Sequence, residues 1–190
     1  MTSQNYQIPG IDSKGIMIAF AQYGFRKTSM EDIARASDLS RQSIYKKFGS
    51  KEACYDQILL AYMSGIYGEV FAMLAAPTDT PVAVLEAVFE RIGEDAVAFA
   101  NTPHGPEVME DALRHATKAP ERWPAVFEEN LAQFFHQHGF AASRAHADDI
   151  AFVMVTASRG SLIHAETVAS YCADMHRVYR TITQGNPAGH

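Results

Sequence analysis

Residues 39–49 constrain the fold more than any other part of the chain, because they specify both ends of one short helix. Ser40 is an N-cap residue, whose side-chain oxygen can accept from a backbone N–H that the helix itself leaves unpaired. Leu39 before it and Ile44 four positions after it have the spacing of a hydrophobic staple, which sets the angle at which the chain enters the helix. Ile44 and Phe48 form an inward i, i+4 pair, and Gly49 ends the helix. Arg41, Gln42, Tyr45 and Lys46 are left facing outward. Ser50 then caps a new helix through Lys51, Glu52 and Ala53.

Two more short helices precede this one. Helical spacing begins near Ile11, with Ile16, Ala19, Phe20 and Tyr23 recurring at i, i+3, i+4 and i+7, and Gly24 supplies a stop. Thr28 and Glu31 have capping-box spacing; Ser29 and Asp32 offer the same box one residue later, so the start of the second helix lies at one or the other. That helix turns Ile33 and Ala34 inward and ends by Ser37. Asp38 follows in a tight turn where Gly is usual, a position Asp tolerates better than most residues. Two short helices joined by a tight turn, the second presenting Arg, Gln, Tyr and Lys, make a helix-turn-helix. From the N-terminal end of such a helix, Arg pairs with a guanine edge and Gln with an adenine edge. Tyr45, Lys46, Lys47 and Lys51 suit phosphate, which positions without specifying. Outward polarity alone leaves a packing bundle or a protein-docking module in competition.

Charge sharpens the choice. Residues 1–51 carry eight basic side chains against four acidic ones, whereas the remaining 139 carry eight against eighteen, within a total of −6. A basic segment on an acidic body suggests that a polyanion binds at one end only. The eight histidines all lie beyond residue 100.

Phe20 to Phe25, Thr28 to Ala34 and Leu39 to Glu52 together resemble the DNA-binding domain of the TetR family of transcriptional regulators, collinearly and without a gap from about residue 11 to 54. The resemblance implies that Thr28 or Ser29 meets phosphate at the start of the second helix. It also implies that Arg41, Gln42 and Ser43 face bases while Tyr45, Lys47 and Lys51 hold the backbone; Ser40 and Lys46 complete the candidate DNA-binding set. Two departures stand out: Asp38 and Gln42 occupy positions where the family commonly has Gly. Asp38 brings a negative charge near the DNA side of the turn, and Gln42 puts a base-reading side chain where the family has bare backbone.

The expected fold is all-α: a three-helix head over residues 1–50, then a helical effector-binding and dimerisation domain of about six helices over residues 51–190. Helical pattern runs over 50–76, 81–100 (opened by Pro81 at its first position), 107–118, a stretch entered between Pro120 and Pro124, 146–168 and 170–183. A Gly/Pro tail follows, and no β-type alternation is sustained. The longest stretches free of Asp, Glu, Lys and Arg, 57–68 and 130–143, fall short of the ~18 apolar residues of a membrane span, and no secretory signal opens the chain. Cys54 and Cys172 are too isolated for a disulfide framework. The expected location is the cytoplasm.

A regulator needs an input. Phe71, Phe89, Met109, Trp123, Phe127 and Phe134, with His164 as a polar contact, are the candidate lining of a small-molecule site, although each also suits an ordinary core. Ile150, Val153, Met154, Ala157 and Ser161 lie on one broad apolar face; the resemblance implies that the last two long helices pack on a second copy, giving a homodimer. His136 and His138 project about 200° apart on a helix, and His146 and His164 lie about 27 Å apart along one, so a metal-responsive regulator is the weaker alternative. No phosphate-binding glycine loop or nucleophile elbow is present, so neither an enzyme nor a cofactor is expected. The whole points to a ligand-responsive regulator, with repression the expected sense, bound to double-stranded DNA.

Overall fold

The structure, a computed structural model, describes residues 6–184. The Gly/Pro tail anticipated from the sequence lies outside them. Among the described residues there are nine helices and no strand: α1 (Ser13–Lys27), α2 (Met30–Ala36), α3 (Arg41–Phe48), α4 (Lys51–Ala75), α5 (Pro81–Ala100), α6 (Gly105–Lys118), α7 (Trp123–Gln137), α8 (Arg144–Leu162) and α9 (Val168–Gln184). The all-α expectation holds.

Side-chain chemistry at the helix ends explains most boundaries. Asp12 caps α1 by accepting from the Gly15 N–H at 3.0 Å. Gly24 breaks that helix with φ 77°, a conformation costly for any residue with a Cβ, and a last turn runs on to Lys27. The freed Gly24 carbonyl accepts from both the N–H (3.1 Å) and the hydroxyl (2.8 Å) of Thr28. The capping box of α2 is the later of the two: Ser29 and Asp32 bond each other's backbone N–H at 2.9 and 3.2 Å. Those bonds from Ser29 hold the Asp32 carboxyl below its usual range. Asp38 adopts φ 53°, as its turn requires. Ser40 caps α3 (Ser43 N–H to Oγ, 3.1 Å), and the Ser50 Oγ accepts from the Ala53 N–H at the start of α4.

Several helix boundaries differ from the sequence reading. α6 starts at Gly105, two residues early, with Pro106 in its first turn. α8 starts at Arg144 because Ser143 caps it, and ends at Leu162 rather than 168 as the chain tightens into i→i+3 bonds from Ile163 and His164. Thr167 then accepts from the Ser170 N–H at 3.1 Å and starts α9 early.

The chain forms two compact units. The first takes residues up to Ile66 together with Phe99–Trp123. Its core holds Ile16, Met17, Phe20, Ile33, Ile44, Phe48, Ile58 and Leu59, with the Phe20 and Tyr55 rings 4.7 Å apart and those of Tyr62 and Phe99 5.4 Å apart. Tyr23, expected inward, is half exposed; Met17 and Ala21 are buried instead, because the inward face of α1 lies one position round from the spacing first read. α6 is fastened to α1 and α4. The His104 N–H donates to the Ala21 carbonyl (2.9 Å), the Tyr55 hydroxyl to Asp111 (2.9 Å), and the His115 ring lies 3.0 Å from the Asp56 carboxylate.

The second unit takes Tyr67–Ala98 and the residues from Pro124 onward. Here α8 packs on α9. Tyr171 of α9 is fully buried and shares a 2.6 Å hydrogen bond with Ser158 of α8, and burial pushes its hydroxyl pKa up. Helix α4 is long and apolar enough to cross a membrane by length and mean hydropathy (1.6). Its Ile58, Leu59, Tyr62, Met63, Val70 and Leu74 are buried in protein.

Candidate functional site

The outward face of α3 is the first candidate. Two buried side chains, Ile44 and Phe48, seat the helix, and its N-cap and C-cap fix its length. Arg41, Gln42, Ser43, Tyr45, Lys46 and Lys47 are all exposed on what remains. The Arg41 guanidinium lies over the Tyr45 ring, 5.5 Å from its centroid, near the helix start. The Ser40 and Ser43 hydroxyls share a 2.8 Å hydrogen bond. The Lys47 ammonium donates to the Pro9 carbonyl at 2.9 Å, an exposed contact that a stronger acceptor can replace.

Two members of the sequence-derived set serve the fold. The Thr28 hydroxyl is buried and bonded to the Gly24 carbonyl, where it clamps the kink; Ser29, the other residue expected at phosphate, is exposed beside it. The Lys51 ammonium donates to the Phe25 and Arg26 carbonyls (2.9 and 3.2 Å) and sits 4.6 Å from the Phe25 ring centroid, tying the start of α4 to the end of α1.

The second candidate is a cavity of about 310 Å³ within the second unit. Val82, Leu85, Glu86, Phe89 and Glu90 of α5 form one wall, Met154 of α8 the floor, and Cys172, Met175, His176 and Tyr179 of α9 the other wall. Beside it, an aromatic cluster brings Tyr67 within 5.7 Å of Phe71 and 6.2 Å of Phe127, with Phe89 6.4 Å from Phe127. Burial pushes the Tyr67 hydroxyl up to about 12, with Arg159 pulling the other way.

Residues 15–58 match the family described as bacterial regulatory proteins, tetR family. Over those residues the chain is similar to the DNA-binding domain of the TetR family. Over 115 residues it is 31% identical to the HTH-type transcriptional repressor KstR2 of Rhodococcus jostii (strain RHA1), covering 58% of this chain and 52% of that one. Over 118 residues it is 26% identical to the HTH-type transcriptional regulator YezE of Bacillus subtilis (strain 168), covering 50% and 61%. The chain thus matches between about half and three fifths of the length of these curated relatives. Among solved structures, a TetR-like transcriptional regulator from Rhodococcus sp. RHA1 shares the fold at TM-score 0.59 and 17% identity, over 92% of this chain and 94% of that one. Thermus thermophilus FadR, a TetR-family repressor crystallised with lauroyl-CoA, does so at TM-score 0.53 and 18% identity, over 94% and 97%.

Beyond the residues that match the TetR family, the expected ligand and interface residues scatter. Phe71, Phe89 and Phe127 do come together, and Phe89 lines the cavity. Met109 and Trp123 belong to the first unit, where Trp123 packs edge-on against Tyr6 at 5.0 Å; Phe134 is buried against His138, and His164 is exposed beyond α8. Ile150 and Met154, expected on the dimer face, are buried inside the second unit because that side of α8 faces its own core; Ala157 and Ser161 are partly covered. Val153 alone of that set is exposed, beside Phe152 and, beyond the end of the helix, Ile163, neither of which was singled out. Among the described residues no group of three His, Cys, Asp or Glu is placed to hold a metal ion. The charged cavity walls were missed as well: Glu86 and Glu90 lie one turn apart on α5, and only the fold brings them opposite Cys172 and His176.

Proposed function

We propose that this protein is a cytoplasmic, ligand-responsive transcriptional repressor that binds a palindromic operator as a homodimer. The observation that carries this reading is the exposed face of α3, presenting Arg41, Gln42 and Ser43 at the N-terminal end of a helix seated by a capped turn inside the TetR-family match. Arg41, Gln42 and Ser43 read base edges in the major groove, while Ser29, Ser40, Tyr45, Lys46 and Lys47 hold phosphates. On DNA, Lys47 exchanges the Pro9 carbonyl for a phosphate oxygen, a charge-assisted partner. Functionally the chain divides at residues 50/51 into a reading head and an effector and dimerisation body. Two heads related by a twofold axis address half-sites about 34 Å apart, or a multiple of that.

Repression as the sense of regulation is supported by the KstR2 relative. An effector is supported by the cavity and by the shared fold of the Thermus repressor, which holds lauroyl-CoA. An effector releases DNA only if it prefers the non-binding state, because equal affinity for both states shifts nothing.

Selection of bound sequences from random DNA tests the reading: twofold-symmetric sites are expected, and the absence of any enriched sequence counts against it. On the selected operator, Gln42→Ala is expected to lose roughly 1–3 kcal/mol of discrimination at one position per half-site. Lys47→Ala is expected to weaken all sequences alike and to reduce the log–log salt slope by about 1 per head. Wild-type binding in both variants would remove α3 from the groove.

A further inference from the structure

The cavity between α5, α8 and α9 combines an apolar interior with two carboxylates at its rim. Leu85, Phe89, Met154 and Met175 are buried and supply the interior. Glu86 and Glu90 stand one turn apart on α5 with their carboxylates exposed at the mouth. No Lys or Arg is among the residues that line it. The one base near them on α5, Arg91, is turned toward other acids: it pairs with Glu69, with Asp95 at 3.0 Å and with Glu94 at 3.9 Å. Among the described residues, the His176 imidazole approaches the rim carboxylates, 3.3 Å from a Glu86 oxygen. The negative field reaches the opposite wall, where burial raises the Cys172 thiol pKa and Glu90, Glu86 and Glu94 raise it further.

We propose that this cavity takes an organic cation with an apolar, aromatic-bearing body, held by Glu86 and Glu90 at the mouth and by the methionines and Phe89 within. The positive charge sits near the two carboxylates, where partial exclusion of water strengthens the attraction over its value in bulk solvent, while the body replaces water on the apolar wall. Thioether and ring surfaces are polarisable and suit both a cation and an aromatic group. A polyanionic ligand such as lauroyl-CoA is disfavoured by the same two charges, so this site differs in ligand class from that of the Thermus neighbour. The inference deepens the effector role proposed above and rests on it for any effect on DNA, but not for binding.

Tetraphenylphosphonium and tetraphenylborate, equal in shape and opposite in charge, test it by calorimetry on the full chain. The phosphonium is expected to bind at least about tenfold more tightly than the borate, a preference that Glu86→Gln with Glu90→Gln reduces by about tenfold. Both glutamates are exposed, so the variant keeps its fold; Glu94→Gln, on the same helix but outside the lining, is expected to leave the preference within about twofold. Cys172 locates the ligand, since it is half-buried in the cavity wall while Cys54 is fully buried: saturating phosphonium is expected to slow its labelling by N-ethylmaleimide several-fold. Borate or lauroyl-CoA binding as tightly as the phosphonium, a preference unaffected by the double substitution, or undiminished Cys172 labelling each overturns the proposal. A gel shift on the selected operator separates the two readings. Phosphonium bound in the cavity without effect on DNA binding leaves the cation site standing and removes the effector role. Release of DNA by some other molecule, with no phosphonium bound, does the reverse.

Discussion

Phe152→Glu combined with Val153→Glu is expected to yield a folded monomer whose operator affinity falls by about a hundredfold or more. Phe152, Val153 and Ile163 are 58%, 43% and 78% exposed, and Thr156 and Gly160 continue the same outward side of α8 between them. The opposite side, with Ile150, Ala151, Met154 and Ser158, is already buried. Large apolar side chains grouped on one exposed helix face mark an interaction surface, and a second copy of this chain is the partner that the operator symmetry proposed above requires. Four carboxylates introduced across a twofold contact would repel one another without touching either protomer's core. The loss in affinity follows because the second head of a dimer binds DNA already held by the first, at a high effective concentration that a monomer forfeits. Sedimentation together with fluorescence anisotropy on the operator measures both halves. A variant that stays dimeric and keeps its affinity would place the contact between copies elsewhere.

Gly105→Ala is expected to destabilise the protein by about 3 kcal/mol, lowering Tm by roughly 6–12 °C. A methyl group at Gly105 would collide with the carbonyl of Phe99 and with the Thr102 side chain, and the first of these is backbone that cannot swing aside. The turn from α5 into α6 is also where the His104 N–H reaches the Ala21 carbonyl, so a displaced turn pulls on α1 as well. Gly68→Ala is the control: it lies within α4 with nothing near its absent side chain, and gains about 0.5–1 kcal/mol from helix propensity. Equal melting temperatures for the two variants would mean that the α5–α6 turn yields more easily than its geometry implies.

The reading head was legible because its signals are local. Ser40 and Ser50 each declare a helix start by chemistry confined to three residues, and Asp38 declares a turn by its tolerance of positive φ. The register of α2 was not decidable that way, since Thr28–Glu31 and Ser29–Asp32 are equivalent as strings; the Gly24 kink buries the Thr28 hydroxyl and so selects the second box. α8 defeated the pattern for a different reason. Both of its faces carry large apolar side chains, so periodicity alone could not distinguish the side bearing Met154, which faces inward, from the side bearing Phe152, which does not. The cavity lay beyond reach because its walls come from residues 82–90, 154 and 172–179, whose meeting is a tertiary event.

The unit that contains the reading head is not a continuous stretch of chain, since residues 99–123 complete it after a detour of more than thirty residues. Grafting this head onto the body of a relative by a single splice after residue 50 or 66 would therefore leave α1 without the surface it rests on. Recombination, whether in the laboratory or in evolution, has to carry α6 along with the first three helices, as a second insertion. Swapped specificities in proteins of this design are accordingly easier to obtain by exchanging the outward side chains of α3 than by exchanging the segment that bears them.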